Sequence, residues 1–116
     1  MNDEVWYAAR CVFRYDALSD EEPGPVFEER VTLHRAGSFE EAFEKAESAA
    51  REYEKEGGPE FVDCTDVYHL FDEPADGAEV FSLLRIADME PGEYLRRFFQ
   101  TGGEVASIRT QTGRAA

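Results

Sequence analysis

The densest group of chemically capable side chains lies in VDCTDVYHLFDE, Val62 to Glu73, which holds three aspartates, a glutamate, a cysteine and a histidine. These residue types ligate metals, move protons and act as nucleophiles. Their spacing argues against a site built from this stretch alone. In a strand, side chains alternate faces and rise about 3.3 Å per residue. Asp63 and His69 then share a face but stand about 20 Å apart, whereas the ligands of one ion lie about 2–2.5 Å from it. Cys64 and Asp66 share the opposite face, about 7 Å apart, without His69. Asp72 and Glu73 lead into DEPADG, where aspartate suits the turn. CxxC, HExxH and EF-hand spacings are absent from the sequence. The stretch reads as a polar-decorated strand, and no catalytic residue, metal ligand or cofactor is assigned.

Other chemistries find little more. His34 is the second of only two histidines. A nucleophilic thiol would need Cys11 or Cys64 beside His34 or His69. Cys11 lies in the aromatic row of its strand, so both cysteines read as small, reduced core residues. A disulfide between them requires neighbouring strands in matched register. Gly102-Gly103 reads as a helix stop, not a phosphate loop.

The elements that must position these residues follow from periodicity. In EVWYAARCVFRY, Glu4 to Tyr15, the residues Val5, Tyr7, Ala9, Cys11, Phe13 and Tyr15 alternate with Trp6, Ala8, Arg10, Val12 and Arg14, which is a strand pattern. SDEEPGP turns the chain, and VFEERVTLHRA, Val26 to Ala36, alternates again with Phe27, Val31 and Leu33 on one face. Ser38 and Glu41 form a capping box. It opens a helix whose apolar face is Phe39, Ala42, Phe43, Ala46, Ala49, Ala50 and Tyr53. Gly57-Gly58-Pro59 stops it. Phe61 to Phe71 gives a third strand, Ala78 to Ala87 a fourth, and Pro91 starts a short helix with Tyr94, Leu95, Phe98 and Phe99. Val105 and Ile108 are the apolar residues of a weakly patterned tail. The expectation is an α+β fold in ββαββα order. It has a four-stranded antiparallel sheet in the order 2-1-3-4, one long helix on one face and a short C-terminal helix. Residues 1–100 form one domain, and 101–116 are a tail.

Charge bounds the partners. Asp and Glu number 26 against 12 Lys and Arg, a net charge of −14. Nucleic acids and anionic membranes are disfavoured, because both reward clustered Lys and Arg, and a basic protein is favoured. No run nears the roughly 18 apolar residues of a membrane helix. MNDEVWYAAR lacks the basic start and apolar run of a signal peptide, so a cytoplasmic setting is expected. On the strand face away from the long helix, Trp6, Arg10 and Arg14 make a candidate contact row, either covered by the C-terminal helix or meeting a second copy in a homodimer.

Three segments carry a family likeness: WYAARCVF, FEERVTLHRAGSFEEAFEKAESAAREY and FVDCTDVYHLFDEPADGAEVFS. Within them Trp6-Tyr7, Glu28-Glu29-Arg30, the helix from Ser38, Asp66-Val67-Tyr68, Asp72-Glu73 and Glu79-Val80-Phe81-Ser82 make the chain resemble the bacterial domain of unknown function 4288 family, over roughly residues 5 to 86. The resemblance implies a small cytosolic α+β domain and no catalytic residue or cofactor. Two function classes remain. One is a non-enzymatic protein-binding module, of an immunity or antitoxin kind, that inhibits a basic partner. The other is a small-molecule binder or enzyme using a sheet–helix cleft.

Overall fold

The computed structural model describes residues 4–104 and contains β1 (Val5–Ser19), β2 (Glu22–Ala36), α1 (Phe39–Lys55), β3 (Glu60–His69) and α2 (Pro91–Phe98). The α+β class and the antiparallel sheet are as expected. The sheet, however, has three strands, in the order β2-β1-β3. The expected fourth strand over 78–87 has no strand structure. Its apolar anchor has gone elsewhere: the Phe81 ring lies 6.0 Å from the Tyr68 ring, and the Arg10 guanidinium sits 5.3 Å from its centroid. Phe81 thereby contacts side chains of the sheet's outer face and does not extend its edge.

β1 is the central strand. Its register pairs Tyr7 with His34 and His69, and Arg10 with Val31 and Asp66. Residues opposite one another point to the same face. Tyr7, Ala9, Cys11, Phe13 and Tyr15 therefore face α1 with His34, Thr32, Arg30, Glu28 and Val26 of β2. The hairpin strands run further than expected and leave only Asp20 and Glu21 between them. Pro23 and Pro25 are accommodated because β2 is an edge strand, where a missing N–H costs no ladder bond. Gly24 takes φ +119 where the register shifts, a conformation open to glycine.

α1 begins as the sequence requires. Ser38 Oγ accepts from the Glu41 N–H at 3.1 Å, and Glu41 Oε1 reaches back to the Gly37 N–H at 2.7 Å. The helix buries Ala42, Ala46 and Ala50, a spine of small residues one turn apart. Ala46 and Ala50 pack with Ala9, Cys11, Phe13 and Cys64, and Ala42 packs with Tyr7 and Ala36. Phe13 is the one large side chain that is fully buried among the described residues.

Cys11 and Cys64 are directly opposite in the β1–β3 ladder and form a disulfide, S–S 2.12 Å. The reading of two reduced core cysteines is corrected here. The condition of neighbouring strands in matched register is met, because β3 returns beside β1.

The chain divides after Ser82 into two compact units. The second contains α2, whose first turn carries Pro91. Arg85 donates to the Tyr94 hydroxyl at 2.7 Å and stacks 4.0 Å from the Phe98 centroid. The expected docking of Val105 and Ile108 lies outside the described residues.

Two stability outcomes follow. Ser38→Ala removes the cap and should lower unfolding free energy by about 1 kcal/mol, read as a lower urea midpoint at unchanged slope. Reducing Cys11–Cys64, which are 53 residues apart, should cost about 4 kcal/mol by the loop-closure relation. Urea melts with and without reductant would check it, with Cys11→Ala/Cys64→Ala as the reductant-insensitive control.

Candidate functional site

β3 does not alternate evenly. Between the Arg10–Asp66 and Cys11–Cys64 pairs the register shifts, leaving Thr65 as an extra residue, and Val62 is left over in the same way before Phe13–Phe61. These bulges reset the phase of the strand. Cys64 thus shares the α1 side with Phe61, Val67 and His69, while Asp63, Asp66 and Tyr68 face outward with Arg10 and Val12. The even alternation expected for Val62–Glu73 is corrected accordingly: Cys64 and Asp66 lie on opposite faces.

The outer face collects the three residues singled out as a contact row, and each has an intramolecular partner. The Arg35 guanidinium lies 5.8 Å from the Trp6 ring. Arg10 donates to Asp66 Oδ2 through Nε at 3.0 Å and Nη2 at 2.7 Å, and to Glu29 Oε1 at 3.4 Å. Arg14 donates to Asp16 Oδ1 at 2.9 Å. The row exists, but its members do not converge on one acceptor. Thr65 Oγ1 also donates to Asp66 Oδ2 at 2.7 Å. That hydrogen bond, with the Arg10 guanidinium, holds the Asp66 carboxyl below the usual carboxylate range despite partial burial.

On the helix side, His34, Tyr7 and His69 form a row across the sheet. His34 Nε2 lies 2.8 Å from Thr32 Oγ1, and burial, with Lys45 nearby, pushes its pKa down. The His69 ring lies 5.3 Å from the Tyr7 ring and 6.3 Å from both Phe39 and Phe71. Neither histidine has a thiol to activate, because both cysteine sulfurs are bonded to each other. Further along, Tyr15 and Tyr53 both donate to Glu28 Oε1, at 3.1 and 2.9 Å, with their hydroxyls 2.9 Å apart. Burial, together with these bonds, raises the Tyr15 hydroxyl well above the ordinary tyrosine range. Arg30 stacks 3.8 Å from the Tyr53 centroid and closes this cluster. Among the described residues, no three His, Cys, Asp or Glu side chains are grouped to hold a metal ion.

Two concavities flank α1. Between α1 and the β1–β2 face lies a cleft of about 10 Å³, room for little more than one water, lined by Cys11, Phe13, Arg30, Thr32, Ala46, Ala49 and Ala50. This is below the roughly 300–1,000 Å³ of ligand pockets. The second is an open groove lined by Phe39, Glu40, Phe43, Glu44 and Val67. Phe39 is 54% and Phe43 36% exposed. The sequence places both on the buried helix face. They flank the alanine spine: the Phe39 ring meets buried Tyr7 edge-on, 5.1 Å between centroids, with its other side open to solvent. The signal was present in the sequence: Ala42, Ala46 and Ala50 repeat every fourth residue, offset from Phe39 and Phe43. Glu40 and Glu44 stand one helical turn apart and have no ion-pair partner among the described residues.

A three-stranded antiparallel sheet with one helix across a single face and an apolar, acid-rimmed groove beside that helix defines a small α+β domain with a surface site, not an enclosed one. The chain belongs to the family described as Domain of unknown function (DUF4288), whose model matches residues 6–82, the whole of this sheet–helix unit except its first residues. No curated protein and no solved structure matches the chain.

The Asp66 arrangement has a pH signature. A carboxyl whose folded pKa is depressed contributes stability above its ordinary value, near pH 4, and loses it as pH falls. Asp66→Asn should be less stable than wild type by about 1 kcal/mol at pH 7. The difference should shrink as pH falls below about 4, as urea melts between pH 3 and 7 would show.

Proposed function

We propose that this chain is a protein-binding module that recognises a basic partner, acting as an inhibitor of the immunity or antitoxin kind. The observation that carries the reading is the α1 groove: two exposed phenyl rings beside two carboxylates that no cation neutralises within the described residues. Like charges one turn apart on a helix repel, and a cation from outside relieves that repulsion. Phe39, Phe43 and Val67 offer apolar contact for the residue that accompanies it. The fit is a segment alternating Lys or Arg with aliphatic or aromatic residues. The net charge of −14 would steer such a partner in from a distance.

The alternative, a small-molecule binder or enzyme in the sheet–helix cleft, is disfavoured by that cleft's size and by the absence of a general base among its lining residues. A cytoplasmic setting belongs to the proposal and makes one demand. In a reducing cytosol Cys11 and Cys64 would stand as thiols, since disulfides are rare there, and the module would work with the smaller stability margin this implies. No helix among the described residues is long and apolar enough to cross a membrane.

Fluorescence anisotropy with a labelled Lys-Leu repeat peptide tests the groove. The wild type should bind it, more weakly as salt rises. Glu40→Lys/Glu44→Lys should weaken binding at least tenfold, and Phe43→Ala severalfold. Equal binding by wild type and the double variant would sink the proposal.

A further inference from the structure

From a different observation, on the sheet face opposite α1, we infer that two copies of this chain associate through the outer side of β2. Phe81 covers part of that outer face by resting on Arg10 and Tyr68. It leaves β2 bare. Along its outer side β2 presents Arg35, Leu33, Val31, Glu29 and Phe27 in turn. Leu33 is 37%, Val31 43% and Phe27 60% exposed. An apolar row of this kind on an otherwise highly charged protein marks a contact surface.

The charge distribution selects a second copy as the occupant. With a net charge of −14, two copies repel over most of their surface. The outer face of the strands comes nearest to balance, with the three cations Arg10, Arg14 and Arg35 against the four carboxylates Glu29, Glu60, Asp63 and Asp66. The order of residues on β2 is also self-complementary. A two-fold axis crossing the strand at Thr32 sets Arg35 of one copy against Glu29 of the other, and Leu33 against Val31. The same axis repeats each contact, as an isologous interface requires. Glu29 is free to take part, because its side chain is 66% exposed and its contact with Arg10 is long at 3.4 Å. Arg35 only stacks loosely on Trp6. The strip from Phe27 to Arg35 is roughly 26 Å long. One strand side makes a small interface, at the lower end of the areas that specific contacts bury, so a dimer dissociating at micromolar concentrations is expected.

Sedimentation equilibrium of the full chain from 5 to 500 µM tests this. The wild type should shift from monomer to dimer across that range. Arg35→Glu and Glu29→Arg should each hold the chain monomeric, and the double variant Arg35→Glu/Glu29→Arg should restore the dimer. Both positions are exposed, and far-ultraviolet circular dichroism of each variant would show that the fold is kept. A wild type that stays monomeric at 500 µM overturns the inference. So does a dimer that either single reversal leaves intact, or a double variant that does not recover. The peptide-binding test of the groove reads a different face, so failure of one leaves the other standing.

Discussion

The phase of β3 is the constraint on which the rest of the domain depends. In a strand, a one-residue offset turns every side chain to the other face. Thr65 and Val62 are such offsets, each inserted opposite a pair of consecutive β1 residues. With even alternation, Asp66 would sit under α1 beside Cys64. The bulge at Thr65 sends Asp66 outward to Arg10 and keeps Cys64 inward opposite Cys11. It also fixes Val67 on the α1 side, where it packs against Tyr7, Ala36 and Ala42 and forms one wall of the groove. Thr65 itself supports the arrangement, since its hydroxyl donates to the carboxylate that the bulge exposes. Without the bulge, an unpaired carboxylate would lie in an apolar core, which costs several kcal/mol.

What was legible in the sequence divides along the same line. β1 reads correctly because both its faces are patterned and it has a partner on each side. The pairing order 2-1-3 follows once α1 carries the chain back across the sheet. α1 reads correctly because the Ser38–Glu41 box is a local device that packing does not overrule. The β3 bulges were not legible, since neither Val62 nor Thr65 is a residue type that announces one. Nor was the fourth strand's absence. AEVFSLLRIA has strand-like composition, but composition does not say whether Phe81 extends an edge or covers a face. For β2, the sequence grouped Phe27, Val31 and Leu33 correctly on one face. It did not show that this is the outer face, with Glu28, Arg30, Thr32 and His34 turned towards the helix.

That inversion has a physical basis. Polar residues under a helix are tolerable where each finds a partner. Glu28 accepts from Tyr15 and Tyr53, Arg30 stacks on Tyr53, and His34 meets Thr32. The tyrosines serve as both apolar cover and hydrogen-bond donors. Phe27, Val31 and Leu33 of β2 are then left on the outer side, where they stay exposed among the described residues.

The alanine spine connects these features. Six of the eleven buried apolar residues among those described are alanines. Alanine allows close helix–sheet approach but buries little area, and burial contributes roughly 25 cal/mol per Å². A core built this way gains less from the hydrophobic effect than one built on leucine or phenylalanine. The Cys11–Cys64 bond supplies what burial does not, by tying β3 to β1 and restricting the unfolded chain. Phe39 and Phe43 lie at the flank of this spine and stay partly exposed. A thin core and an aromatic groove at its flank therefore both go with one choice of residue at positions 42, 46 and 50. Larger side chains there would lift α1 from the sheet, and the groove would lose its Val67 wall before the core gained a close packing.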